Sequence, residues 1–166
     1  VKIFLKNFLY NHHGINRRNK VIFENNDDLK YFVELGAVNA SDACIIRGAG
    51  VSVKEHLKSK KESKVITITL VARMLKDKGV NEFVAAAKKL KYQKVKCRFL
   101  LVGDIDPLNP SSLDKKTLVR WNQEEVIEWL GWINNVNSIL KQTDILCLPS
   151  YREGLPKALV EGAAVG

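Results

Sequence analysis

Residues 65–166 alternate between strand-like and helix-like apolar patterns, and no other feature restricts the fold of this chain as much. Residues 65–72 form a β-branched run, 81–90 carry Phe83, Val84, Ala87 and Leu90 at helical spacing, and 97–102 form a second apolar strand. Beyond them the pattern predicts a strand over 125–130 closed by Gly131, a short helix over 135–141, a strand over 144–150 and a helix over 157–165. Consecutive parallel strands cannot be joined by a tight turn, so alternation of this kind implies βαβ crossovers and helices on both faces of a parallel sheet. The run at 144–150 is apolar enough to predict a strand buried on both faces. The pattern then stops at Gly166, where a helix-terminating glycine would sit, and the sequence reads as a piece cut inside a doubly wound α/β domain.

The first fifty residues offer less. A basic and apolar helix is expected over 1–10, a strand over 20–23, a helix over 27–35 ended by Gly36, and a strand over 43–46 running into Gly48 and Gly50. Two strands and two helices bury too little to form a core of useful size, so residues 1–52 read as the tail of a preceding α/β domain. The helix over 1–10 fits either a core-facing element or an amphipathic segment on a membrane surface. Residues 53–64, rich in lysine with acidic residues interspersed, read as a basic linker to the domain at 65–166.

The formal net charge of +9 favours anionic partners without choosing among nucleic acid, anionic lipid and phosphorylated metabolites. Nucleic acid is disfavoured because the lysine run carries no aromatic residue on which a base could stack; Trp121, Trp129 and Trp132 lie in or beside predicted elements. The cysteines, Cys44, Cys97 and Cys147, sit in or next to apolar strands and lack metal-binding spacing, so buried free thiols in a reducing, cytoplasmic setting are expected. His12 and His13 are adjacent and His56 stands alone, which excludes the usual spacing of metal ligands. No stretch approaches the roughly 20 apolar residues of a membrane span, and the N-terminus lacks a signal-peptide pattern.

Chemistry concentrates after the strand at 144–150. Glu153 and Glu161 stand seven residues apart by intervening count, around a Gly154-Leu155-Pro156 turn that opens the last helix. Pro156 suits a first helical position, leaving amides near Gly154 and Leu155 at the positive end of the helix dipole, where an anion can bind. At about 100° per residue the two glutamates can face one crevice and reach different parts of a ligand. By themselves the same residues also fit a surface carboxylate and an acid stabilising a helix start. A strand, a turn and a helix N-terminus place them at the carboxyl edge of a parallel sheet, where open α/β folds bind ligands. Arg73 and Lys78 follow the strand at 65–72: a guanidinium can fork to phosphate oxygens, and an ammonium supplies a compact charge. Without the distal glutamates they read as two solvated bases.

Four segments in order resemble the donor-binding half of the retaining GT-B glycosyltransferases of group 1, the fourth family. Glu153 to Glu161 is similar to that family's E-x7-E signature, with Leu148-Pro149-Ser150 before it. Arg73 and Lys78 in Val71-Ala72-Arg73-Met74-Leu75-Lys76-Asp77-Lys78-Gly79 resemble its diphosphate-gripping pair. Leu101-Val102-Gly103-Asp104 and Trp129-Leu130-Gly131-Trp132 resemble its next two strand ends, and 21–28 and 48–51 the close of its first domain. The loop from Gly103 to Ser112 narrows the resemblance to bacterial enzymes of capsule, O-antigen, lipopolysaccharide or lipid-linked oligosaccharide synthesis.

The resemblance implies a Rossmann-like, doubly wound parallel sheet truncated at both ends. It makes 1–52 the end of the acceptor-side domain, 53–64 a linker and 65–166 an incomplete donor domain. The implied activity is transfer of a hexose from a nucleotide sugar, a UDP-sugar, to a lipid-linked saccharide with retention at the anomeric carbon. It makes Arg73 and Lys78 diphosphate ligands, Glu153 a ligand of the donor sugar, Glu161 a ligand of the ribose, and the backbone of Gly131, Trp132 and Ile133 the reader of the base. Trp132 stacks on that base or packs against the domain. Departure of a nucleoside diphosphate builds charge that Arg73, Lys78 and a helix N-terminus can stabilise, so neither a metal nor a tightly bound cofactor is called for. The enzyme is expected in the cytoplasm with peripheral contact to an anionic membrane, and the 166-residue piece is expected to be inactive alone. A nucleotide-sugar epimerase, or a phosphorylase using pyridoxal phosphate, shares this architecture.

Overall fold

The structure, a computed structural model, describes residues 20–48, 50–52 and 65–166. The chain divides into two compact units, Val1–Gly50 and Val51–Gly166. The helix expected over 1–10, the linker expected over 53–64 and all the histidines lie outside the described residues.

In the first unit β1 (Val21–Phe23) and β2 (Ala43–Ile45) pair in parallel, with α1 (Asn26–Glu34) and a 3₁₀ turn, Ala40–Asp42, between them. Asn25 starts α1 by accepting the Asp28 amide on its side-chain oxygen at 2.7 Å and donating its own amide to the Asp28 carboxylate at 2.9 Å. This exchange satisfies one of the amides that a helix start leaves open, and Asp27 and Asp28 add the negative charge that the start favours. Among the described residues of the unit only Phe23, Ala37 and Val38 are buried.

The second unit contains β3 (Ile66–Val71), α2 (Val80–Tyr92), β4 (Cys97–Val102), α3 (Lys115–Gln123), β5 (Glu128–Trp129), α4 (Val136–Leu140), β6 (Ile145–Leu146) and α5 (Lys157–Val165). Its four strands are parallel in the order β5-β4-β3-β6. The chain steps outward from β3 through β4 to β5, then returns to the opposite side of β3 to form β6. The strand order thus reverses between β3 and β6, the place where open parallel sheets form a crevice at the carboxyl ends of their strands.

Apolar spacing explains how the layers join. Val80, Phe83, Val84 and Ala87 recur on one face of α2 and are all buried, with the Phe83 ring edge-on to Phe99 of β4 at 5.2 Å. Leu70, Met74, Leu101 and Leu118 complete a core without solvent access. Burying side chains of this size stabilises the fold by roughly 1.5–3 kcal/mol each.

Three expectations about secondary structure need correction, and one about the cysteines. Helix α3 was not expected; its sequence is mostly polar, and it is anchored by just Leu118 and Trp121 on its buried face. The strand expected over 125–130 contracts to Glu128–Trp129, because Glu125 adopts φ 52 in the turn that ends α3. The strand expected over 144–150 contracts to Ile145–Leu146 and is not buried on both faces. It pairs with β3 alone, as an edge strand among the described residues, and Ile145 is 49% exposed. The cysteines are free, as expected, but half-buried rather than buried.

Candidate active site

Two glycines bring the strand ends together. Gly79, at φ 72 between the 3₁₀ turn Lys76–Lys78 and α2, is so near the β6 loop that a Cβ would lie 2.0 Å from the Pro149 carbonyl oxygen. Gly103, at φ 130 beyond β4, is as close to the end of β3: a Cβ would lie 1.9 Å from the Ala72 carbonyl oxygen. Neither position has room for a side chain, so the loops after β3, β4 and β6 form one packed rim.

Hydrogen bonds stitch the rim. The Asp77 carbonyl accepts from the Tyr151 amide at 3.0 Å and from the Ser150 hydroxyl at 3.1 Å. The Tyr151 hydroxyl donates to Glu82, in the first turn of α2, at 2.6 Å, and that bond to a carboxylate holds the phenol above its ordinary pKa. The Trp129 indole donates to the Gly103 carbonyl at 2.9 Å, and the Gly103 amide donates to the Gly131 carbonyl at 2.8 Å. Beneath the rim, burial pushes the Cys147 thiol up.

Within this frame Lys78 and Glu153, 75 residues apart, meet at 2.7 Å across the β3–β6 crevice, with side chains that retain 23% and 24% exposure. Arg73 is placed differently: its Nη1 bonds the Asp106 carboxylate, from the loop after β4, at 2.7 Å, and its side chain is 59% exposed. Glu161 is bound at 3.3 Å by Lys157, one turn earlier on α5, and retains 20% exposure. The sequence-selected residues therefore sit in three ion pairs, of which one joins two of them to each other.

The helix start differs by one residue from expectation. Pro156 is the N-cap of α5, in extended conformation, and Lys157 is the first helical residue. The Pro156 carbonyl accepts the amides of Leu159 at 3.0 Å and Val160 at 3.3 Å, so the amides without an acceptor in the helix belong to Lys157 and Ala158. Helix α5 lies close on β6 because Gly162 meets Leu146, where a Cβ would fall 2.3 Å from the leucine Cδ2. Gly131 turns the chain at φ 65, and Trp132 beyond it is 72% exposed, its indole bonded to Asn134 at 3.0 Å. Trp132 does not pack into the domain; Trp129 does. Ile133, the remaining residue of that segment, is half-buried.

Sequence reasoning missed Asp106, Tyr151 and Glu82 as parts of the rim. A usable signal existed for Asp106: it follows β4, next to β3 in a parallel sheet, so its loop and that of Arg73 must emerge on the same edge. Among the described residues no three of His, Cys, Asp and Glu group as metal ligands. None of the described helices is long and apolar enough to cross a membrane.

A parallel sheet with helices packed on it, and with cations and carboxylates on the loops after β3, β4 and β6, defines a Rossmann-like α/β domain. The description Glycosyl transferases group 1 matches residues 52–166, and the chain belongs to that family. It is similar to the N,N'-diacetylbacillosaminyl-diphospho-undecaprenol alpha-1,3-N-acetylgalactosaminyltransferase of Campylobacter jejuni, with 30% identity over 158 residues, 87% of this chain and 40% of the relative. It is also similar to the UDP-Gal:alpha-D-GlcNAc-diphosphoundecaprenol alpha-1,3-galactosyltransferase of Escherichia coli, with 29% identity over 147 residues, 87% of this chain and 34% of the relative. The chain thus spans well under half the length of these two curated relatives. Among solved structures, Anabaena Alr3699/HepE in complex with UDP-glucose matches 96% of this chain and 47% of its own at TM-score 0.71 and 15% identity, a likeness of fold. The fold is that of the GT-B glycosyltransferases, as the sequence resemblance implied.

Proposed function

We propose that this chain is the donor-binding part of a glycosyltransferase that moves a hexose from a UDP-sugar to a saccharide carried on a polyprenyl diphosphate. The observation that carries the reading is the Lys78–Glu153 contact at 2.7 Å, which joins the loops after β3 and β6 at the switch point of the sheet. Lys78 is the charge that meets the departing diphosphate, Arg73 a second donor to it, and Glu153 the acceptor for hydroxyls of the transferred sugar. Glu161 takes the ribose, and the segment Gly131 to Ile133 takes the base. As the bond from the anomeric carbon to the diphosphate breaks, its electron pair leaves on the nucleoside diphosphate, and cations already in place stabilise that charge without reorganising.

Both relatives carry names that specify an alpha-1,3 linkage on a diphosphate-linked undecaprenol carrier, and one specifies UDP-Gal as donor. These names support a UDP-sugar donor and a lipid-linked acceptor here. An alpha product from an alpha-linked sugar nucleotide is retention, the outcome we assign. We place 1–52 at the end of an acceptor-side domain, 53–64 as linker and 65–166 as donor domain, and we assign the enzyme to the cytoplasmic face of a membrane through its acceptor. Sugar transfer by the 166 residues alone would break this division of labour.

The two glutamates give the test. In the full-length enzyme Glu161→Ala weakens UDP binding ten- to hundredfold by calorimetry, as loss of a charge-assisted hydrogen bond costs roughly 1.5–3 kcal/mol. Glu153→Ala leaves UDP binding nearly intact and abolishes transfer. Wild-type binding and turnover in both folded variants sink the proposal.

A further inference from the structure

Asp106 is an acid where an anionic donor is expected, and it is built into place. Its amide donates to the Ser112 hydroxyl at 3.1 Å, its carbonyl accepts the Asn109 amide at 2.9 Å, and its side chain is only 27% exposed. The loop that carries it is sewn along the Arg73 segment. Met74 donates to the Asp104 carbonyl at 2.9 Å, Lys76 to the Ser111 carbonyl at 2.8 Å, and Leu113 to the Met74 carbonyl at 2.8 Å. Asp77 adds a bond to the Ser111 hydroxyl at 3.2 Å. Pro107 and Pro110 stiffen the same loop by fixing φ.

Arg73 is the less enclosed member of the pair: its side chain is long and more than half exposed. A guanidinium presents five N–H donors in a rigid plane, and Asp106 engages it through Nη1. Nε and Nη2 form no other hydrogen bond among the described residues. We propose that Asp106 is a positioning residue for Arg73, holding the guanidinium by one nitrogen so that the others meet the donor diphosphate without a search through rotamers. A carboxylate that orients a catalytic cation lowers the ordering cost of the transition state, and removing it acts through Arg73. The inference rests on Arg73 being a diphosphate ligand.

In the full-length enzyme, transfer from a UDP-hexose to a diphosphoundecaprenol-linked saccharide and calorimetric binding of UDP separate the possibilities. Asp106→Ala lowers kcat about ten- to hundredfold with donor KM within about threefold, the size expected when a reacting group is misplaced by about an ångström. Asp106→Asn keeps an oxygen acceptor for Nη1 and restores most of kcat, which also guards against a folding defect in the alanine variant. In an Arg73→Ala background, Asp106→Ala changes kcat less than about twofold, because residues that act through one another are not additive. Tighter UDP binding in Asp106→Ala or Asp106→Asn would make Asp106 a competitor of the phosphates and overturn the proposal. So would an additive loss in the double variant, or wild-type kcat in Asp106→Ala beside a crippled Arg73→Ala. A silent Arg73→Ala would remove the reading of Arg73 itself, and the inference with it.

Discussion

The two ends of the second sheet treat charge in opposite ways. At the amino end Arg98 of β4 and Glu128 of β5 form a bidentate pair, with Nε at 2.6 Å and Nη2 at 2.5 Å from the carboxylate oxygens, between neighbouring strands and with side chains 42% and 47% exposed. At the carboxyl end Lys78 and Glu153 share a single contact, yet they join loops that only the fold brings near, with side chains three-quarters covered. The pair with the better geometry is the less consequential one. Exposed ion pairs contribute about 0–1 kcal/mol because water screens them and ordering two long side chains costs entropy. In the proposed function the carboxyl-end groups gain their importance from position, at the strand ends where open α/β folds bind ligands.

The comparison is broken most severely at the glycines. Gly79→Ala forces a Cβ against the Pro149 carbonyl at a left-handed φ, and either strain or separation of the two loops must follow. A loss of about 3 kcal/mol or more is expected in urea titration, combining backbone strain with lost packing. Wild-type stability would show that the β3 and β6 loops are not locked together.

Next come the crevice cations. Lys78→Ala and Arg73→Ala in the full-length enzyme each lower turnover by on the order of a hundredfold, the effect of removing a donor to developing charge, with the thermal melt close to wild type. Wild-type turnover in either would place the diphosphate elsewhere and leave the carboxyl end no more functional than the amino end.

The smallest effect belongs to Arg98→Ala, with an expected stability loss of roughly 0.2–1 kcal/mol and no change in turnover. The pair also has a pH signature. The bond from Arg98 holds the Glu128 carboxyl below its ordinary pKa. A carboxylate depressed in the folded state contributes stability above its unfolded pKa, and that contribution is lost as pH falls through the folded one. Arg98 is raised by the same bond, so its contribution holds below its unfolded pKa and is lost only as pH rises through the still higher folded value. Between urea midpoints at neutral and acid pH, wild type therefore loses slightly more than Arg98→Ala. Identical acid profiles would mean the pair contributes nothing even at neutral pH, and a larger gap than about 1 kcal/mol would mean the amino end is less screened than its exposure indicates.

Much of this molecule was readable from residue order. Apolar spacing located β3, α2, β4 and α5 to within a few residues, because each buries a continuous face against the same core and so repeats at its own period. Glu153 and Glu161, with the Pro149, Gly154 and Pro156 around them, marked a family because their spacing is local. Spacing could not show α3, whose face rests on Leu118 and Trp121 within a polar stretch, or the short span of β6, set by pairing with β3 alone. Nor could it show how the charges pair. Lys78 with Glu153, Arg73 with Asp106 and Tyr151 with Glu82 are separated by 75, 33 and 69 residues. Contacts at such distances along the chain depend on strand order, which seats β4 and β6 on either side of β3, and on Gly79 and Gly103, which let the loops after them close. Sequence by itself determined most of the elements and the family, since both follow from local pattern. The tertiary structure alone decided which charge meets which, since that depends on where parallel strands end.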